Sequence, residues 1–250
     1  MSLGVDVGGT FTDLAHWDGS TLRVGKTSST PEQSEGVVAG ALDLLEGSSV
    51  SSFLHGTTVA TNALLERRGA RTALVTDEGL ADVVAIGRQD RPSLYDSFED
   101  RAEPIVPADL RFTVPARASV GADDLADLLV RIDEGGAEAV AISLLYAFLD
   151  PSREEAIAEA LAPLGVPVSR SSVVANEFRE FERSSTTTLN AFLTPEMSRY
   201  LERLADRTRE AGLPDDVLVM RSSGGLMGLA GASALPVAAL LSGPAGGVVA

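Results

Sequence analysis

The positions best suited to chemistry open the chain, in Gly4-Val5-Asp6-Val7-Gly8-Gly9-Thr10-Phe11-Thr12-Asp13. Paired glycines let backbone N–H groups approach a bound group, because no Cβ intervenes. Successive N–H groups in such a turn form a nest that favours anions, phosphate above all. Thr10 and Thr12 add hydroxyl donors, and Asp6 and Asp13 suit a hydrated Mg²⁺ riding on a phosphate. A plain β-hairpin with a Gly-Gly turn is the simpler alternative. Two acids and two threonines at alternate places around the turn favour the nucleotide. A β-branched residue at Gly9 would fill the space of the phosphate and resist the positive φ expected there.

Three later clusters carry polar groups with less to distinguish them. His55-Gly56-Thr57-Thr58 reads as a loop entering a helix N-terminus, where donors meet an anion or a carbonyl. A structural histidine and capping threonines account for it better on composition. Gly87-Arg88-Gln89-Asp90-Arg91 offers guanidinium forks to a carboxylate, or is a solvated loop. Glu177, Arg179, Glu180, Glu182 and Arg183 precede five consecutive hydroxyls at 184–188. Those hydroxyls either line a site or bond the carbonyls of the preceding turn. His55 and Glu177 are the candidates for a general base. Residues 19–27 imitate a P-loop but are rejected: five residues separate Gly19 from Gly25 where that motif has four, and the stretch lies on a hairpin strand.

The elements that must position these groups follow from periodicity. Residues 3–7, 10–18 and 22–26 read as three antiparallel strands, the last two joined by the hairpin turn Asp18-Gly19. Thr30-Pro31-Glu32 reads as a helix start, with Thr30 as N-cap and Gly47 closing the helix. A short strand at 53–54 leads into a helix ending at Gly69. A strand at 71–76 and a short helix at 80–86 precede an irregular stretch, 87–119. A helix at 123–134, a strand at 137–145, a helix at 151–161 and a strand at 166–169 give β-α-β alternation, hence a parallel or mixed α/β layer. Residues 176–212 read as two helices, restarting at Thr194-Pro195-Glu196. A strand at 217–220 and an apolar strand before the turn Ser242-Gly243-Pro244-Ala245-Gly246-Gly247 complete the chain.

Composition narrows the function classes. The chain has 250 residues, 44% hydrophobic, no cysteine and a formal net charge of −16. Nucleic acid is not expected as a partner, because backbone binding needs a positive face. No apolar run approaches a membrane span and no signal peptide opens the chain, so a cytoplasmic protein is expected.

On Gly4 to Asp13, His55 to Gly69, Arg71 to Gln89, Asn176 to Leu193, Met220 to Met227 and Leu240 to Val249, the chain resembles the hydantoinase A / 5-oxoprolinase family. The resemblance implies an α/β fold: a ribonuclease-H-like (actin-like ATPase) lobe with a mixed β-sheet flanked by helices, plus the start of a second lobe. It implies a division into an N-terminal domain, 1–175, and the beginning of the ATPase domain, 176–250. It implies ATP and Mg²⁺ as cofactors, with Asp6, Gly8, Gly9, Thr10, Thr12 and Asp13 as the first phosphate loop and Asp6 and Asp13 holding Mg²⁺ through water. The implied activity is hydrolysis of a small cyclic amide, hydantoin or 5-oxoproline, after ATP activates its carbonyl. Thr57, Thr58, Arg88 and Arg183 are the candidate substrate contacts. The implied partner is a hydantoinase B-type subunit or domain. A subunit of an ATP-dependent ketone carboxylase, or a non-catalytic fragment, are the alternatives. Family members carry a second Asp-x-Gly-Gly-Thr loop that residues 1–250 lack, so these residues alone are expected to be inactive and, with apolar surface near 237–241, to associate.

Overall fold

The computed structural model describes residues 1–30, 32–117 and 119–243. In chain order, β1 (Ser2–Val7), β2 (Phe11–Trp17) and β3 (Leu22–Ser28) lead to α1 (Gln33–Leu45), β4 (Ser52–Thr57) and α2 (Val59–Leu65). Next come β5 (Thr72–Asp77), α3 (Val83–Ile86), β6 (Arg111–Val114), α4 (Ala122–Glu134), β7 (Ala139–Ser143), α5 (Ser152–Ala160), β8 (Val168–Arg170) and α6 (Ser171–Val174). Then follow α7 (Glu180–Glu210), β9 (Val217–Met220), β10 (Leu226–Gly228) and α8 (Leu229–Ala234). These elements form two compact units, one joining Met1–Arg68 to Glu196–Ala250 and the other formed by Gly69–Pro195.

The first unit is built on a mixed sheet of order β10-β9-β4-β1-β2-β3. β1, β2 and β3 are antiparallel, while β4 runs parallel to β1 and β9 parallel to β4. This is the strand order of a ribonuclease-H-like lobe. Strict alternation sends Leu3, Val5, Val7, Leu14, Phe53 and His55 to one face, where they are buried. Val37, Ala41 and Leu45 of α1 are buried in the same unit, at the helical spacing that defines an apolar stripe. The residues in between, among them Gly4, Asp6, Asp13, Ala15, Val24, Lys26, Leu54 and Gly56, line a cavity of about 720 Å³ on the opposite face.

The second unit holds a parallel sheet of order β6-β5-β7-β8. Every residue of β5 and β7 is buried, as expected of strands covered on both faces. Leu74, Val75, Val140 and Ile142 of the sheet share one core with Leu128 and Ile132 of α4 and Ile157 of α5.

Several sequence expectations change. His55, Gly56 and Thr57 belong to β4 rather than to a loop, and α2 ends at Leu65, before Gly69. Thr30 does not cap α1; its hydroxyl donates to the Glu32 carbonyl, and the cap residue is Glu32. Strand β6 lies inside the stretch expected to be irregular. The two helices expected over 176–212 are one α7 that contains Pro195. Proline removes the N–H that would bond the carbonyl four residues back. The hydroxyls of Thr186, Thr187, Thr188 and Thr194 each donate at 2.7 Å to the carbonyl four residues earlier, so the three threonines of the hydroxyl run bond their own helix. The apolar strand expected before residue 242 is instead a 3-10 turn, Pro236–Ala239. Pro31, and Pro244 to Gly247 of the second glycine-rich turn, lie outside the described residues. Among the described residues no helix is long and apolar enough to cross a membrane.

Candidate nucleotide-binding site

Gly8, Gly9 and Thr10 form the turn between β1 and β2, closed by Gly8 N–H donating to the Phe11 carbonyl at 2.9 Å. Ser29 braces it, its N–H donating to the Thr10 carbonyl at 2.9 Å and its hydroxyl to the Gly8 carbonyl at 2.8 Å. Gly9 is exposed, and a Cβ placed there would meet no atom within 4 Å. The turn therefore presents open space next to backbone, which is what a phosphate requires. Contrary to expectation, neither Gly8 nor Gly9 has positive φ. Thr12 is turned away: it is buried, with its hydroxyl 3.3 Å from that of Ser29. Thr10 stays exposed.

Asp6 and Asp13 are cross-strand partners on the open face. Directly opposed residues have Cβ atoms about 4.5–5.5 Å apart, and like charges so placed destabilise the pair. Burial, and secondarily the Asp13 charge, holds the Asp6 carboxyl above the usual carboxylate range. A divalent cation would reverse that repulsion. Among the described residues no cluster of three or more His, Asp or Glu side chains could hold a metal alone. Two carboxylates with water completing the shell is the pattern of Mg²⁺, which dehydrates reluctantly. The residues therefore fit a hydrated Mg²⁺.

Lys26 was missed at the level of sequence. Its ammonium pairs with Asp13 at 2.8 Å and lies 5.1 Å from the centroid of the Phe11 ring. The signal was the Asp18-Gly19 turn, whose register sets Lys26 opposite Asp13. Residues 242 and 243 close the cavity's edge: the Ser242 hydroxyl donates to the Thr57 carbonyl at 3.2 Å, and Gly243 lies against the Asp6 carboxylate.

The remaining candidates fall elsewhere. His55 is fully buried on the other face of the sheet and shares a 2.7 Å hydrogen bond with the Tyr200 hydroxyl. Burial lowers its pKa to about 4, so it is a neutral structural histidine and not a solvent-accessible base. Burial pushes the Tyr200 phenol up. Thr57 accepts from the Val59 N–H at 3.1 Å and Thr58 donates to the Val7 carbonyl at 3.0 Å, so both hydroxyls are engaged in the scaffold. Glu177, Arg88 and Arg183 belong to the Gly69–Pro195 unit. Glu177 is exposed, Arg88 pairs with Glu182, and Arg183 is buried.

Residues 2–165 match the model of the hydantoinase/oxoprolinase N-terminal region, and residues 183–250 that of hydantoinase/oxoprolinase. The chain is 34% identical to the caprolactamase subunit alpha of Pseudomonas jessenii over 90% of its own length and 36% of that protein's. The crystal structure of that ATP-dependent caprolactamase superposes with a TM-score of 0.84 at 30% identity, covering 98% of this chain and 39% of that one. The 5-oxoprolinase PfmaA of Pestalotiopsis fici is 31% identical over 100% of the chain and 23% of its own length. The acetophenone carboxylase gamma subunit of Aromatoleum aromaticum is 29% identical over 90% of the chain and 35% of its own length. The chain thus spans well under half the length of each of these relatives.

Proposed function

The chain belongs to the hydantoinase/oxoprolinase family, and from that premise we propose that it forms the first phosphate-binding lobe of an ATP-dependent enzyme that opens small cyclic amides. The observation that carries this reading is the Gly8-Gly9-Thr10 turn, with open space over Gly9 and the Asp6–Asp13 pair on the strands that flank it. Backbone N–H groups of the turn and the Thr10 hydroxyl bind phosphate oxygens. Asp6 and Asp13 orient the water shell of Mg²⁺, and Lys26 keeps Asp13 in place. Phosphoryl transfer depends mainly on such positioning and charge neutralisation. ATP supplies the phosphoryl group that activates the amide carbonyl, and the net reaction consumes water and yields ADP, phosphate and the ring-opened acid.

Two relatives are named as subunits, which supports a partner subunit, here proposed to be of the hydantoinase B type. The division at about residue 175 is supported by the two family matches falling on either side of it. The carboxylase relative supports a second reading, activation of bicarbonate and a ketone by the same lobe. The test is ADP release by the complete enzyme supplied in turn with hydantoin, 5-oxoproline, caprolactam, and acetone with bicarbonate. Stimulation by a cyclic amide is expected. Stimulation by the ketone and bicarbonate alone would move the assignment to the carboxylases.

A further inference from the structure

In the Gly69–Pro195 unit, Arg183 is only 1% exposed. Its Nη2 donates to the Leu144 carbonyl at 2.6 Å and pairs with Glu180. Its Nε and Nη1 are buried and have no hydrogen-bond partner. A buried guanidinium N–H left unpaired costs more than an ordinary lost hydrogen bond, because the group is charged. Asp77 and Glu154, the fully buried carboxylates of this unit, are already matched: Asp77 to Arg153 at 2.6 Å and to the Leu145 N–H at 2.7 Å, Glu154 to the Leu144 N–H at 3.1 Å.

The place of this guanidinium in the sheet gives it a second significance. In the order β6-β5-β7-β8, the connection from β5 leads to β6 on one side and that from β7 to β8 on the other. The crevice outside the carboxyl ends of β5 and β7 is thus a topological switch point, the preferred ligand position of parallel sheets. Arg183 reaches Leu144 at the end of β7, and the neighbouring Ser184 hydroxyl lies 2.9 Å from that of Ser143. Arg183 also stands in the first turn of α7, whose dipole favours a negative ligand. Over the guanidinium lies Phe148, its ring centroid 5.5 Å away, on a segment that includes Tyr146 at φ +60°. A non-glycine residue at positive φ is strained backbone of the kind found at ligand-covering segments.

We propose that this crevice is a binding site for a small carboxylate, anchored by Arg183 and covered by Phe148. It goes beyond the nucleotide lobe and stands independently of it. The charge inventory selects the ligand class. A planar, singly charged carboxylate matches the guanidinium. A dianionic phosphate would confront Glu180, already on Nη2.

The test is calorimetric titration of the full chain with sodium acetate, with sodium chloride at equal ionic strength and acetamide, the neutral isostere, as references. Saturable acetate binding in about the millimolar range is expected, with none for chloride or acetamide, and at least about tenfold weaker binding in Arg183→Met. Should Arg183→Met not fold, Phe148→Trp decides with the arginine intact: acetate must change the fluorescence of the introduced indole saturably. Three outcomes overturn the proposal: no saturable acetate binding, equal binding of acetamide, or acetate binding unchanged in folded Arg183→Met. An indole that does not respond to acetate does so as well.

Discussion

Gly56 faces Asp6 across the parallel β1–β4 pair, and the Asp6 carboxylate fills the volume that a side chain at position 56 would occupy. The glycine thus fixes where the carboxylate can lie. Gly56→Ala is expected to push Asp6 out of its rotamer while leaving the sheet intact. Calorimetry should find Mg-ATP affinity reduced at least about tenfold, equivalent to about 1.4 kcal/mol, with unchanged circular dichroism.

Asp6→Asn separates stability from function. The Asp6 pKa is raised in the folded state by burial and by Asp13. The native protein then binds this proton more tightly than the unfolded chain, so stability falls as pH rises from 3.8 through the folded-state value. Removing the charge is expected to raise Tm by a few degrees at neutral pH in the absence of metal. It should also abolish the stabilisation that Mg-ATP confers and most ATP turnover of the complete enzyme. Asp13→Asn should lower turnover likewise. Wild-type turnover in both variants would remove the metal role of the pair.

Gly9→Val tests the turn. Position 9 lacks positive φ and has open space around it, so the substitution should fold normally. The new side chain would stand where the phosphate is proposed to bind. Calorimetry should show Mg-ATP binding lost at unchanged Tm, and unaltered affinity would leave the turn a structural hairpin only.

The buried His55–Tyr200 pair sets an acid limit. His55 has a folded-state pKa of about 4 against 6.5 for the free side chain. The unfolded chain therefore takes up a proton first, and stability is lost as pH falls from about 6.5 towards 4, by an amount on the order of 3 kcal/mol. Urea unfolding across that range should show the slope in wild type and a flatter profile in His55→Gln. Tyr200→Phe, which leaves Nε2 without its partner, should cost about 1–3 kcal/mol at neutral pH.

The strands that carry Asp6 and Asp13 were legible because each alternates one buried and one open residue, and because Asp18-Gly19 fixes the register of the hairpin. The β4 strand was misread because Gly56 and two threonines look like turn chemistry. Its glycine is needed by Asp6, which is distant in sequence. β6 escaped because it is four residues long and is held only by its neighbour β5. At Pro195 the local rule for ending a helix was overridden by the packing of Leu193 and Met197 on either side, both buried. His55 was legible as a structural histidine from composition, but its tyrosine partner lies 145 residues away and left no local signal. The acids and glycines around the Gly8-Gly9-Thr10 turn could be grouped because they are contiguous. Lys26 required the strand register, and the free donors of Arg183 required coordinates.

Lys26 is the single lysine of the chain, and it sits in the cavity beside Asp13. Apart from the N-terminal amine, it is the one primary amine among residues 1–250. Amine-selective acylation would therefore modify the body of the chain at one place, opposite Asp13 in the cavity. The rate of that labelling becomes a direct optical or mass-spectrometric gauge of occupancy. For the same reason, lysine-directed coupling to a surface would tether the molecule through the cavity that Asp6 and Asp13 line.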